Sequence, residues 1–201
     1  MHNAHILKGS YLIGGGISTS FNGYTTAVPG VQTDKGSLFR VNIDSKVGYF
    51  NWHDIGLGLK AEFSHFNRQS DSTANDFKQT ILLFGPFVRG YLDNGIFGEI
   101  GAGWGLNNIF RNAQSNLFNG EVGIGYSYFL GDIGRQNYWF RNKQIAIEPM
   151  VLFRYYRQNF GTKTGSDNYR SEYGPEFRIS VQVYIYRQTM MLPVPIRKSR
   201  L

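Results

Sequence analysis

The stretch SLFRVNIDSKVGYFN, residues 37–51, alternates between apolar and polar side chains. Its odd-numbered positions are mostly apolar, whereas the even-numbered positions include Arg40, Asn42, Asp44 and Lys46. Successive side chains of a β-strand point to opposite faces, so the pattern predicts a strand with one apolar face and one charged face. The fold depends on which of these two faces meets water.

Composition narrows the class of protein. The chain has 201 residues, of which 16% are aromatic and 17% charged, and it contains no cysteine. This length predicts a single domain, and the lack of cysteine excludes disulfides and thiolate chemistry. A run of about 18 apolar residues, which a transmembrane helix requires, does not occur. The N-terminal MHNAHILKGS lacks the apolar core of a signal peptide, so we expect a cytosolic chain or numbering that begins near a processed end.

Period-two alternation recurs along the whole chain. Eight segments show it, and the stretches between them have no helical apolar period, which predicts an all-β protein. The predicted strands are 8–22, 37–50, 55–66, 77–92, 96–107, 117–130, 145–160 and 173–187.

Twelve charged residues of these strands fall on one phase. They are Arg40, Asp44, Lys46, Lys60, Glu62, Arg89, Glu99, Glu121, Glu148, Arg154, Glu176 and Arg178. A soluble barrel or sandwich would expose this face, and its charges would need no balance. A membrane barrel encloses it, and buried charges must then pair. Six cations stand against six anions, which favours an ion-pair network in the lumen of a transmembrane barrel.

Connection lengths alternate in the way that outer-membrane barrels require. Long gaps lie at 23–36, 67–76, 108–116 and 161–172, and short ones at 51–54 and 93–95, where DNG is a strong hairpin signal. The long stretch 131–144 departs from this pattern. We therefore predict an antiparallel eight-stranded up-and-down transmembrane β-barrel over residues 1–187, followed by a basic periplasmic C-terminal tail over 188–201.

Three segments of the sequence resemble a known family of proteins. KVGYFNWHDIGLGLKAEFS (46–64), FGPFVRGYLDNGIFGEIGAGWG (84–105) and GEVGIGYSYFLGD (120–132), the last followed by IAIEPMVLFRY (145–155), resemble small outer-membrane β-barrel proteins of the Bacteroidota type. These are related in architecture to OmpA and OmpX. The resemblance covers roughly residues 8–187 and implies an eight-stranded barrel in the bacterial cell outer membrane with no defined activity. The stretch 131–144 and the tail depart from it.

Basic and aromatic residues cluster outside the predicted strands. They are Arg135, Tyr138, Trp139, Phe140, Arg141, Lys143, Arg197 and Lys198. We expect them at the periplasmic rim, where they would contact anionic lipid head groups or another envelope protein. A merely solvated basic edge is the alternative. Nucleic acid is not expected as a partner, because the basic residues form no stripe with stacking aromatics.

Catalytic motifs are weak. GLGLKA, residues 56–61, fits a dinucleotide-binding pattern but runs into a strand rather than a helix. Ser64 and His65 are neighbours, yet adjacent strand residues point to opposite faces and cannot pair. No metal-ligand cluster is present, so we predict no catalytic residue, metal or cofactor.

The expected function follows from the lumen. Eight strands enclose a space that side chains fill, so a wide solute pore is not expected. The prediction is a non-enzymatic structural or interaction component of the envelope, or a subunit of a larger outer-membrane complex. The alternatives are a lipid-modifying outer-membrane enzyme and a soluble lipocalin-like carrier. Within the strands, Pro86 and Pro149 should require bulges or rim positions, and Arg89 should point inward together with Phe87.

Overall fold

The computed structural model of the protein describes residues 6–27, 34–68, 77–107, 115–130, 143–159 and 169–186. These contain nine strands: β1 (Tyr11–Ala27), β2 (Asp34–Trp52), β3 (Ile55–Arg68), β4 (Phe77–Tyr91), β5 (Ile96–Asn107), β6 (Ser115–Tyr126), β7 (Tyr128–Leu130), β8 (Lys143–Asn159) and β9 (Tyr169–Ile185). Strands β6 and β7 flank Ser127 and both pair with β8, so they are two parts of one barrel strand. Among the described residues, no helix is long and apolar enough to cross a membrane.

Every strand pairs antiparallel with its neighbours, and the β6–β8 pairing closes the sheet. This confirms the predicted eight-stranded antiparallel barrel. Following the paired residues once round the barrel leads from Gly15 of β1 to Thr25 of the same strand, which is a stagger of ten residues. The path runs through Gly15, Ser45, Ala61, Phe84, Trp104, Phe118, Arg157, Ser171 and Thr25. For eight strands, a stagger of ten residues corresponds to a strand tilt of about 40°.

The apolar phase of the strands lies on the outside of the barrel. Ile43, Leu57 and Val181 are 55%, 38% and 52% exposed, whereas Arg40 and Glu62 are each 1% exposed. This barrel is therefore apolar outside and charged inside, which is the opposite of a water-soluble barrel. In the fourth strand, whose phase the sequence leaves ambiguous, Arg89 and Phe87 both point inward as predicted.

Two levels of outward aromatic rings mark the ends of the apolar surface. At the lower end, where turns join β2 to β3 and β4 to β5, the rings of Tyr11 and Tyr49 lie 5.0 Å apart. Towards the opposite, upper end, the Phe21 and Phe39 rings lie 6.5 Å apart. Ten residues of β1 separate the two levels, which at this tilt is about 25 Å, the height of the apolar band of an outer-membrane barrel.

Prolines interrupt the hydrogen-bond ladder without shifting its register. Pro86, Pro149 and Pro175 face outward, and at each one the pairing with one neighbouring strand is missing while the pairs above and below keep the same register. A proline lacks the N–H that would bond to that neighbour. The expectation of bulges was therefore wrong, and Pro149 explains why the sixth strand divides at Ser127.

The chain before β1 departs from the predicted strand that begins at residue 8. Gly9 adopts a φ of 88° and donates its N–H to the Phe50 carbonyl at 2.8 Å, which ends the extended backbone. Ile6 is fully buried, and its N–H donates to Asp54 Oδ1 at 2.7 Å. Residues 6–10 therefore fold against the lower end of the barrel.

Candidate functional site

The lumen collects all twelve predicted charged residues, and every one is at least 95% buried. Two further buried charges, Arg170 and Glu172, lie on the same phase of β9. The sequence prediction began this strand at residue 173, because the outward Ser171 is polar and no apolar–polar contrast marks this part of the strand. Among the side chains that the structure describes, seven buried cations are Arg40, Lys46, Lys60, Arg89, Arg154, Arg170 and Arg178, and seven buried anions are Asp44, Glu62, Glu99, Glu121, Glu148, Glu172 and Glu176.

Arg154 lies at the centre of the network. Its Nη1 and Nη2 donate to Glu62 at 2.5 and 2.9 Å, and Nη2 also contacts Glu121 at 2.7 Å and Glu176 at 3.1 Å. Lys60 pairs with Glu121 and lies 3.4 Å from Glu62. Because β3, β6, β8 and β9 supply these groups, the contacts join separate walls of the barrel.

Arg178 extends the network downward. Its Nε lies 3.1 Å from Asp44, and its Nη atoms lie 3.4 Å from Glu121 and 3.5 Å from Glu99. Glu99 is also paired with Lys46. Glu99 and Glu121 therefore each contact three cations, which offsets the cost of burying the charges.

Glu148 is the lowest carboxylate of the network. Arg89 links it to Glu99, since Arg89 Nη1 donates to Glu148 at 2.6 Å and Arg89 Nε donates to Glu99 at 2.8 Å. Ser127 and Tyr184 also donate hydrogen bonds to Glu148. Sequence reasoning missed these hydroxyls because they carry no charge, although both lie on the lumen phase.

A smaller ionic group lies near the upper end. Glu172 pairs with Arg40 and, at 2.8 Å, with Arg170 Nε. The Arg40 guanidinium lies 3.9 Å from the centroid of the Tyr156 ring, and that of Arg170 lies 4.8 Å from the Tyr24 ring. These distances allow cation–π attraction.

Apolar side chains pack in the lumen towards both of its ends. The cluster towards the lower end consists of Ile6, Leu12, Phe50, Phe87, Tyr91, Phe97, Ala146, Met150, Leu152 and Tyr184. The cluster towards the upper end consists of Tyr24, Leu38, Ile81, Leu83, Leu117 and Tyr156. The central charges therefore lie between two apolar layers, and over the described residues the lumen is filled rather than hollow.

Only Lys143 of the predicted rim residues lies within the described part of the chain. It is exposed and begins β8 opposite Ile185, at the lower end. The other seven, Arg135, Tyr138, Trp139, Phe140, Arg141, Arg197 and Lys198, lie outside the described residues, as does the tail 188–201. Nearby, burial and the Asp54 carboxylate raise the pKa of Tyr186 to about 12. Its phenol therefore stays protonated and donates to Gln144 Oε1 at 2.8 Å.

The weak catalytic motifs do not form a site. Ser64 is fully buried and donates to Asn42 Oδ1 at 2.6 Å, whereas His65 is exposed on the outer face. Residues 56–61 lie within β3, with no helix N-terminus to hold a phosphate. The described residues also contain no group of three or more His, Cys, Asp or Glu placed to hold a metal ion.

Comparison with solved structures identifies the architecture. The outer membrane protein OprG from Pseudomonas aeruginosa is similar, with a TM-score of 0.51 at 12% identity over 90% of this chain and 98% of that chain. The chain has the fold of an outer-membrane β-barrel. Neisserial surface protein A matches with a TM-score of 0.44 at 15% identity, covering 90% of this chain and 98% of that chain. Ail of Yersinia pestis matches with 0.38 at 12%, covering 89% and 100%. No protein-family model matches the chain, and the search of curated proteins gave no significant match.

Proposed function

We propose that this protein spans the bacterial outer membrane and serves there as a non-enzymatic structural or interaction component of the envelope. The inverted polarity of the barrel carries this proposal. Within the described part of the chain, seven cations and seven carboxylates are enclosed, while exposed apolar side chains cover the outer face between the two aromatic levels. Exposure of that apolar surface to water would be unfavourable, whereas contact with the hydrocarbon of a membrane is not.

The geometry disfavours both alternative functions. A lipocalin-like carrier needs an apolar cavity, but here the centre of the lumen holds ion pairs such as Arg154–Glu62. A lipid-modifying enzyme needs a nucleophile and a base in contact, but Ser64 and His65 point to opposite faces of β3. The filled lumen also argues against a wide solute pore.

The finer assignments belong to the same proposal. The lower end faces the periplasm, because its described turns at 53–54 and 92–95 are short. The basic and aromatic residues of 135–143 and the tail 188–201 then contact anionic lipid or another envelope protein, as a subunit of a larger complex would. The phrases quoted from the sequence support a protein of the Bacteroidota type.

Conductance in planar bilayers tests the closed lumen. After insertion of the refolded full chain, we expect no current steps above those of the protein-free bilayer, because side chains fill the described cross-section. A 16-stranded porin inserted in the same way is the positive control, and a protease-protection assay on vesicles of the same lipid shows that the chain inserts into that lipid. Stable open steps from the wild-type chain would exclude a filled lumen.

Membrane fractionation tests the location. We expect the chain in the outer-membrane fraction of its host, and we expect the purified protein to precipitate when detergent is removed. A monodisperse, folded chain without detergent would overturn the membrane proposal and favour the soluble carrier.

A further inference from the structure

An apolar groove runs along the outer face of β8, β9, β1 and β2. Two adjoining depressions of about 680 and 320 Å³ form it, and they share Thr19 and Phe177. The lower one is otherwise lined mainly by Gly15, Ile17, Ile43, Ile179 and Val181, and the upper one by Phe21, Phe39, Val151 and Pro175.

Local sequence explains why the groove forms here. Gly15 has no side chain to fill the wall, and Pro175 lies where the ladder between β9 and β1 is interrupted. From Gly15 to Phe21 the groove follows six residues of β1, which rise about 15 Å at this tilt, or one leaflet of a hydrocarbon core of about 30 Å. Its length therefore fits one leaflet.

A polar row crosses the same four strands above the groove. Its members are paired in register and face outward: Arg157 on β8, Ser171 on β9, Thr25 on β1 and Lys35 on β2. Gly23 lies on β1 between this row and Phe21, and a Cβ added there would meet nothing within 4 Å. The path from the groove to the polar row is therefore open.

Arg157 is held in place by two neighbouring side chains. Its Nε donates to Asn159 Oδ1 at 3.2 Å, and its guanidinium lies 4.9 Å from the centroid of the Tyr169 ring. Each lysine and arginine buried in the lumen has a carboxylate partner, whereas no carboxylate among the described residues pairs with Arg157. An anion at this level would supply the missing partner.

We propose that the groove and the polar row together bind one anionic, phosphate-bearing lipid of the leaflet at the upper end. An acyl chain lies in the groove between Gly15 and Phe21. The phosphate lies at the row, where Arg157 and Lys35 supply positive charge and Ser171 and Thr25 supply hydroxyl donors. This inference rests on the proposed membrane-spanning function.

Native mass spectrometry of the full chain in detergent tests the site, with dipalmitoyl phosphatidylglycerol as the probe. We expect one lipid retained per barrel. The double substitution Arg157→Gln and Lys35→Gln should weaken retention at least tenfold, while binding of dipalmitoyl glycerol, which has no phosphate, should not change. Excess inorganic phosphate should not displace the lipid, because the acyl chain contributes to binding.

Groove-filling variants test the apolar half. Thr19→Phe fills the junction of the two depressions and should weaken binding of both lipids, whereas Ala102→Phe on the opposite wall should leave it unchanged. Lys8→Gln at the lower end is the matched charge control. Each variant is first shown to have a wild-type unfolding midpoint in detergent.

Equal retention by wild type, the double variant and Thr19→Phe would overturn the lipid site, as would displacement of the lipid by inorganic phosphate. If the barrel still requires detergent and fractionates with the outer membrane, only this inference fails. A folded chain that is soluble without detergent would defeat the proposed function itself.

Discussion

Arg154 on β8 binds Glu62 on β3 through both terminal nitrogens, at 2.5 and 2.9 Å. The strand order places β3 and β8 four strands apart in either direction round the barrel, so the pair spans its full width. Such a two-point contact fixes both distance and orientation. The opposite walls of the barrel are therefore tied through the lumen as well as through the backbone ladder.

Arg154→Ala should destabilise the barrel strongly. The substitution leaves Glu62, Glu121 and Glu176 buried with one cation fewer, and removing one partner of a buried ion pair costs about 3–5 kcal/mol. Denaturant unfolding of the protein in detergent micelles, followed by far-UV circular dichroism, measures the change. Lys8→Ala, which removes an exposed cation, should change the free energy of unfolding by less than about 0.5 kcal/mol. Equal stability of the two variants would show that the network does not hold the barrel together.

The double substitution Arg154→Met with Glu62→Met should cost less than the sum of its single changes. Residues in one ion-pair network typically couple by about 0.5–3 kcal/mol, because the second substitution removes the charge that the first has orphaned. A double-mutant cycle on unfolding free energies measures this coupling. Strict additivity would mean that the observed contact carries no energy.

A positive charge placed on the outer face tests which surface meets lipid. Ile100 is 63% exposed at the middle of the apolar band, so Ile100→Arg should cost about 2–4 kcal/mol in a bilayer. Ser37→Arg on the outer face of β2, beyond the upper aromatic level, should cost about 0–1 kcal/mol. Folding titrations into phospholipid vesicles measure both. If Ile100→Arg folds as well as Ser37→Arg, the apolar face does not lie in hydrocarbon.

Phe97→Ala tests the lower apolar cluster. Phe97 is fully buried beneath the Arg89 guanidinium, which lies 4.3 Å from its ring centroid. Truncation leaves a cavity that side chains cannot fill and should cost about 3–5 kcal/mol. Phe118→Ala on the outer face should cost less, since lipid chains can occupy the vacated space. Unfolding midpoints of the two variants in the same detergent give the comparison, and the reverse order would contradict this packing.

Pro149→Ala tests the origin of the divided strand. Alanine supplies the N–H that the ladder between β8 and the β6–β7 strand lacks, so the new amide should exchange slowly with solvent deuterium. Hydrogen exchange followed by NMR, in the same detergent for wild type and variant, measures protection at residues 126–128 and at position 149. Fast exchange at the new amide would mean that something other than the missing donor divides the strand.

The alternation of apolar and polar residues predicted the barrel and the face on which its charges lie, because both follow from the periodicity of single strands. It failed near the upper ends, where outward residues such as Thr25 and Ser171 are polar, so that no contrast marks the strand. Arg170 and Glu172 were missed for that reason. The individual ion pairs could not be predicted from the sequence either, since a pair such as Arg154–Glu62 depends on the stagger of the whole barrel.

Two local features needed the assembled fold. Residues 8–10 are predicted as the start of a strand, and contacts such as that between Ile6 and Asp54 show that the chain turns here against the lower end. Pro149 is visible in the sequence, but its effect falls on the opposing strand at Ser127, which becomes a neighbour only once the register is known. Where a strand begins and where it is interrupted therefore depend on long-range strand pairing, which the local sequence pattern does not reveal.

The ion pair across the full width of the barrel also constrains how the chain assembles. Arg154 and Glu62 cannot meet until the sheet curls shut, so a half-inserted sheet would carry bare charges into hydrocarbon. Such intermediates should be too costly to accumulate, and we expect closure and membrane entry to occur as one concerted, all-or-none step.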